Sequence, residues 1–163
     1  MFRTENFIEE CCNALKDINA HAAVREIVER TVSDPNNVIE GLGEPKQAGV
    51  QTLYRSDDLT IINFTWGPRM SLPPHDHRMW AVIGLYGGKE DNTFYQRSPK
   101  GLLRHGGKEL STKDACPLGA DVIHSGSTRW TKSRRRFMFT AATTSACLEA
   151  NGTPRRSKSS HSI

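Results

Sequence analysis

From Val50 onward the chain has the period of a β protein, and that change limits the folds open to it. Residues 50–55 read as a strand, Ser56, Asp57 and Asp58 as a turn, and 59–66 as the returning strand of a hairpin. Further short runs fall at 92–97, 102–104 and 116–125, punctuated by Gly87-Gly88, Pro99-Lys100-Gly101 and Gly106-Gly107. Short strands at this spacing build a small barrel or sandwich. The front of the chain is different. Residues 6–15 gather Phe7, Ile8, Cys11 and Leu15 on one side of a helix. Residues 20–32 set Val24, Ile27 and Val28 against Arg25, Glu26, Glu29 and Arg30. Ser33-Asp34-Pro35-Asn36-Asn37 reads as the end of that second helix, and 41–45 as turn material. The expectation is a mainly β barrel preceded by two N-terminal helices. Its divisions are a helical segment at 1–46, a barrel at 47–126 and an atypical basic tail at 127–163.

With 163 residues the chain is long enough for one domain with a real core. It holds no run of about twenty apolar residues, so no transmembrane helix is expected. Its first residues include Arg3 and Glu5 and no apolar stretch, which reads against a signal peptide and for the cytoplasm. Cys11, Cys12, Cys116 and Cys147 show no C-x-x-C spacing, as expected of free thiols in a reducing compartment. The net charge of +4 is unevenly placed. Of 22 basic and 18 acidic residues, eight and one fall in 127–163, leaving 14 and 17 for the rest. The basicity therefore belongs to the tail. A nucleic-acid arm is the least favoured explanation of it.

Within the β region stand His75 and His77, separated by Asp76 and followed by the apolar run 79–86 that Gly87-Gly88 closes. On a strand, residues two apart share a face, so the two imidazoles lean into the same space. A lone His-x-His is common in loops and cores. A third histidine, His124, follows on a short apolar run entered through Pro117-Leu118-Gly119, and a barrel can bring it beside the first two. Three imidazoles arranged facially leave open positions on a borderline metal ion. His21 and His105 read as surface residues without a role.

The segments His75-Asp76-His77 and Pro117-x-Gly119-x4-His124 resemble the two motifs of the cupins. With Trp66-Gly67 ahead of the first motif and Gly88 closing the strand after it, they resemble most the cysteine dioxygenase type I family and its bacterial thiol-dioxygenase-like relatives. The resemblance spans about 53–125. Most cupins add a glutamate four or five residues after the second histidine. Ala81 and Val82 stand there instead, as in the thiol dioxygenases. The resemblance implies a double-stranded β-helix, a jelly-roll barrel, and a non-haem Fe(II) held by His75, His77 and His124. It implies a small thiol and O2 as reactants, giving a sulfinic acid. It also implies a carboxylate-binding arginine on the strand before Trp66. Arg55 matches that place, with Tyr54 beside it, and its planar guanidinium suits a carboxylate. No nucleic-acid or membrane partner is expected.

The pattern then breaks. The family continues with a strand bearing Ser-x-His-x-Tyr, whereas this chain gives Arg134-Arg135-Arg136-Phe137-Met138-Phe139-Thr140-Ala141-Ala142. We read the tail as displaced by one base near Ser127, through a sequencing error or a genuine lesion. Reading each triplet one base earlier leaves His or Tyr across Phe137-Met138, Val across Met138-Phe139, and His or Tyr across Phe139-Thr140. That restores His-Val-Tyr where the family has it. As written, 134–143 can still pair as a strand, and the remainder is expected to be disordered. The alternative function for this chain is a metal-binding cupin module without turnover.

Overall fold

The computed structural model describes residues 1–44 and 46–129 in full and the backbone of 136–142. Three helices come first, α1 (Thr4–Ala14), α2 (Ala20–Val32) and α3 (Pro35–Leu42). The apolar stripes of α1 and α2 bury Phe7, Cys11, Val24, Ile27, Val28 and Val32. Arg30 on α2 pairs with Glu10 on α1 along their exposed sides. The third helix corrects the expectation of two. Asp34-Pro35-Asn36-Asn37 is a helix start rather than a turn: the Asp34 side chain accepts from the Asn37 N–H, and Pro35 takes the first helical position.

Among the described residues nine strands follow: β1 (Gly49–Arg55), β2 (Thr60–Trp66), β3 (His75–Asp76), β4 (Ala81–Leu85), β5 (Lys89–Ser98), β6 (Gly101–Ser111), β7 (Ala115–Leu118), β8 (Ile123–Ser127) and β9 (Arg136–Ala142). They form a five-stranded sheet in the order β1-β2-β9-β4-β7 and a four-stranded sheet in the order β3-β8-β5-β6. All pairs are antiparallel. β9 lies within the 134–143 stretch expected to be able to pair. It fills the middle of the larger sheet, between β2 and β4, so the sheet body draws on chain beyond residue 126. The expectations for 130–135 and 143–163 lie outside the described residues.

Strand alternation sorts the larger sheet into two faces. Phe64, Trp66, Ala81, Ile83 and Leu85 look inward and pack with Leu110, Cys116 and Leu118. Ile61, Val82 and Tyr86 look outward, onto the helices. Gly84 makes that second contact possible. A Cβ placed there would stand 2.4 Å from Cγ1 of Val28 and 2.9 Å from Cγ1 of Val32. The helices therefore back one sheet and leave the space between the sheets to the inward-facing side chains. Among the described residues, no helix is long and apolar enough to cross a membrane.

Candidate metal centre

The strand expected through the histidine pair is broken in two. β3 holds only His75 and Asp76 and belongs to the smaller sheet, whereas β4 belongs to the larger one. The chain changes sheets between them, and Arg78 takes a left-handed conformation (φ 53°) directly after His77. Asp76 points away from its two neighbours. Its carboxylate is held by Arg97 at 2.7 Å and more loosely by Arg78 at 3.8 Å, tying β3 to β5. His75 lies directly opposite His124 on β8, and His124 lies opposite Phe94 on β5. One face of the smaller sheet thus carries His75, His124 and Phe94 in a row.

The three histidines converge. One ring nitrogen from each of His75, His77 and His124 lies within 4.8 Å of the other two. Nε2 of His77 and Nε2 of His124 are 3.0 Å apart. Nitrogens sharing one ion at about 2.1 Å stand about 3.0–3.4 Å apart, so this pair is already at coordination spacing. Two of the tautomers follow from the partners. His75 Nδ1 lies 2.8 Å from the Pro73 carbonyl oxygen, which can only accept, so Nδ1 carries the proton. His124 Nδ1 lies 2.9 Å from Asn92 Oδ1 and donates likewise. In both rings Nε2 keeps its lone pair. Burial, reinforced by the neighbouring rings, pushes the His77 pKa down to about 4 and that of His124 to about 3. At neutral pH both are uncharged, the state that binds a metal.

Behind His124 stands a buried polar chain that sequence reasoning missed. Asn92 is 3% exposed and Glu90 1% exposed, and both sit on the inward face of β5. Asn92 Nδ2 donates to Glu90 Oε1 at 2.9 Å. From the opposite sheet, the Trp66 indole N–H donates to Glu90 Oε2 at 3.0 Å. Gly126 leaves room for this crossing, since a Cβ there would stand 3.0 Å from the Trp66 ring and 3.3 Å from Glu90 Oε1. In the sequence, Glu90 follows Gly87-Gly88-Lys89 and reads as turn. Its depth shows only once β5 is known to begin at Lys89.

The other expected residues fall elsewhere. Tyr54 pairs with Ile61 and packs on the helix-side cluster, so its ring is on the sheet face turned away from the histidines. Arg55 is exposed and pairs with Thr60, in the cross-sheet row that continues through Ala142 to Ala81. That row shares the inward parity of Phe64 and lies at the end of the sheet where the chain arrives from His77. Thr60 is buried, and its Oγ1 has no partner among the described residues. His105 is exposed, as expected. His21 is half-buried rather than at the surface: its ring stacks on Trp80 at 4.9 Å, and Nε2 is buried without a partner among the described residues.

No sequence-family profile matches the chain. Among solved structures, a protein of Bacillus halodurans aligns at 11% identity over 74% of this chain and 80% of its own, with a TM-score of 0.54. An RmlC-like cupin family protein of Methanocaldococcus jannaschii, with a double-stranded β-helix fold, aligns at 11% identity over 62% and 84%, with a TM-score of 0.50. The chain has a cupin fold. A cupin superfamily protein of Desulfitobacterium hafniense aligns at 17% identity over 62% and 81%, with a TM-score of 0.49. On the cupin barrel the three histidines make a possible three-His metal site. The donors are all imidazole, which suits borderline ions such as Zn, Fe, Cu and Ni. The places four and five residues after His77 are Ala81 and Val82, fully buried and without a donor atom.

Proposed function

We propose that this cupin is a thiol dioxygenase-like enzyme that uses Fe(II) at His75, His77 and His124. It converts a small carboxylate-bearing thiol, cysteine or a close analogue, to its sulfinic acid. The overall change is RSH plus O2 to RSO2H, which consumes both oxygen atoms and needs no further reductant. The observation that carries this reading is the all-imidazole convergence, with buried apolar side chains where a fourth, carboxylate ligand would stand. When bound, Fe(II) supplies the redox chemistry between O2 and sulfur, and three protein donors leave it open positions.

The chain's own residues supply the rest. Two imidazoles kept neutral by burial are ready to ligate without first losing a proton. Phe94, which lies opposite His124, packs with Met79 and Leu72 in the inward-facing cluster, and this apolar surface limits the access of water to the ion. Arg55, exposed on β1, offers a guanidinium to the substrate carboxylate.

The test is oxygen uptake after anaerobic Fe(II) loading, with cysteine and 3-mercaptopropionate as substrates and mass spectrometry of the product. One O2 consumed per sulfinic acid formed is the expected result. A chain replete with iron that consumes no O2 with either thiol overturns the enzymatic reading. A second reading, a metal-binding module without turnover, has one observation in its favour: none of the residues of β9, Arg136–Ala142, is His or Tyr.

A further inference from the structure

We propose that Glu90 sets the tautomer of His124, because it fixes which way the Asn92 amide faces and hence which ring nitrogen is left for a cation. This rests on the reading of the three histidines as a metal centre. Each oxygen of Glu90 meets a donor: Oε2 takes the Trp66 indole N–H and Oε1 takes the Asn92 amide. An indole nitrogen can only donate, and only a group that accepts at both ends can serve both neighbours. With its Nδ2 committed to Glu90, Asn92 must turn Oδ1 to His124, 2.9 Å away. His124 then holds its proton on Nδ1 and keeps the Nε2 lone pair, and Nε2 is the atom 3.0 Å from Nε2 of His77. Glu90 and Asn92 are positioning residues. They touch neither substrate nor ion, and they act through the ring of His124.

The polarity of this chain can be inverted and restored. In Glu90→Gln the shape is kept, but one end now donates. Seated with its oxygen on Trp66, the new amide confronts Asn92 with a donor. Asn92 then flips, presents Nδ2 to His124 Nδ1 and drives the proton to Nε2. In the double variant Glu90→Gln/Asn92→Asp, the carboxylate introduced at position 92 accepts both from the amide at position 90 and from His124, which restores the original tautomer. A residue needed only for packing has no such reciprocal rescue.

Two readouts test this on the full chain. Long-range 1H–15N correlation spectra of the metal-free protein report the protonated nitrogen of His124: Nδ1 in the wild type and the double variant, Nε2 in Glu90→Gln. Titration with Co(II), followed by its ligand-field absorption, is expected to show affinity falling roughly 10–100-fold in Glu90→Gln and returning to within a few-fold of wild type in the double variant. Protonation of wild-type His124 at Nε2, or Co(II) affinity unchanged in Glu90→Gln, overturns the proposal. If Glu90→Gln does not fold, the wild-type spectrum and the double variant decide it. A wild type with the Nδ1 proton that takes up no Co(II) contradicts the metal centre and leaves the tautomer control standing. Co(II) uptake without thiol oxidation by the iron form contradicts only the dioxygenase reading.

Discussion

His75 and His124 face each other as register partners on adjacent antiparallel strands, with ring centroids 4.6 Å apart. One comes from a two-residue strand and the other from a segment nearly fifty residues later, so it is the pairing of β3 with β8 in the smaller sheet that brings them together. His124→Ala is therefore expected to damage two things at once. It removes one of the three proposed metal ligands, and it leaves the buried Asn92 Oδ1 without its donor, costing about 1–3 kcal/mol of stability. Urea unfolding of the metal-free variant checks the second effect, with His105→Ala as the exposed control, expected to change nothing.

The depressed pKa values make a signed prediction about pH. In an unfolded chain His77 and His124 take up protons near pH 6.5, but in the folded chain they do so only near pH 4 and pH 3. Between those limits the unfolded state binds more protons, so acid destabilises the fold. The stabilisation is complete above pH 6.5 and is lost as pH falls toward 4 and then 3. Each ring contributes up to about 1.4 kcal/mol per pH unit in that window, and less for the half-exposed His77, where solvent screens. Denaturant melts of the metal-free chain from pH 7.5 to 4.5 should show this slope, flattened in His77→Ala. Because both rings are already neutral at pH 7, metal uptake there should release almost no protons from them. Calorimetry in buffers of different ionisation enthalpy measures that directly.

Gly84 tests the packing that holds the helices on the barrel. Its missing Cβ is the space that Val28 and Val32 occupy. Gly84→Ala is expected to destabilise by about 1–3 kcal/mol through overpacking. A paired Val28→Ala should return part of that loss. Thermal melts of the single and double variants measure the coupling.

Arg55 makes a prediction about substrate choice. Arg55→Ala should raise KM for cysteine and 3-mercaptopropionate, while turnover of cysteamine, which has no carboxylate, should be the same in the variant as in the wild type. Equal losses for all three thiols would place Arg55 in the fold rather than in recognition.

Much of this was legible in the sequence. Helical period gave α2 to the residue, and the strand-like runs on either side of the Ser56-Asp57-Asp58 turn gave β1 and β2 nearly so. The His75, His77 and His124 set was visible as two motifs. Three things were hidden, each for a physical reason. Asp34 and Pro35 serve a turn and a helix start equally well, and the packing of Val38 into the helical core decides between them. The inward face of β5 begins with Glu90 and Asn92, so its polar residues look like surface until a partner sheet supplies Trp66 to meet them. Tyr54 sits beside Arg55 in sequence, but a β-bulge between Thr52 and Tyr54 shifts the register that assigns them their faces.

The register of β9 also bears on the displaced-frame reading. Met138 lies opposite Phe64 and Leu85, and Thr140 opposite Ile62 and Ile83, so both occupy positions of inward parity. These are the two positions to which the alternative triplets assign His and Tyr. If the frame is displaced, resequencing the gene across Ser127 to Thr140 will show one base more or fewer. The Met138→His/Thr140→Tyr variant is then expected to turn over thiol faster than the chain as written.

The most direct test of the metal centre is the metal content of the purified chain after anaerobic Fe(II) loading, measured beside His75→Ala/His77→Ala/His124→Ala. A single retained ion per chain, absent from the triple variant, is the result the three converging imidazoles predict. No retained ion, or equal retention in the triple variant, would contradict it.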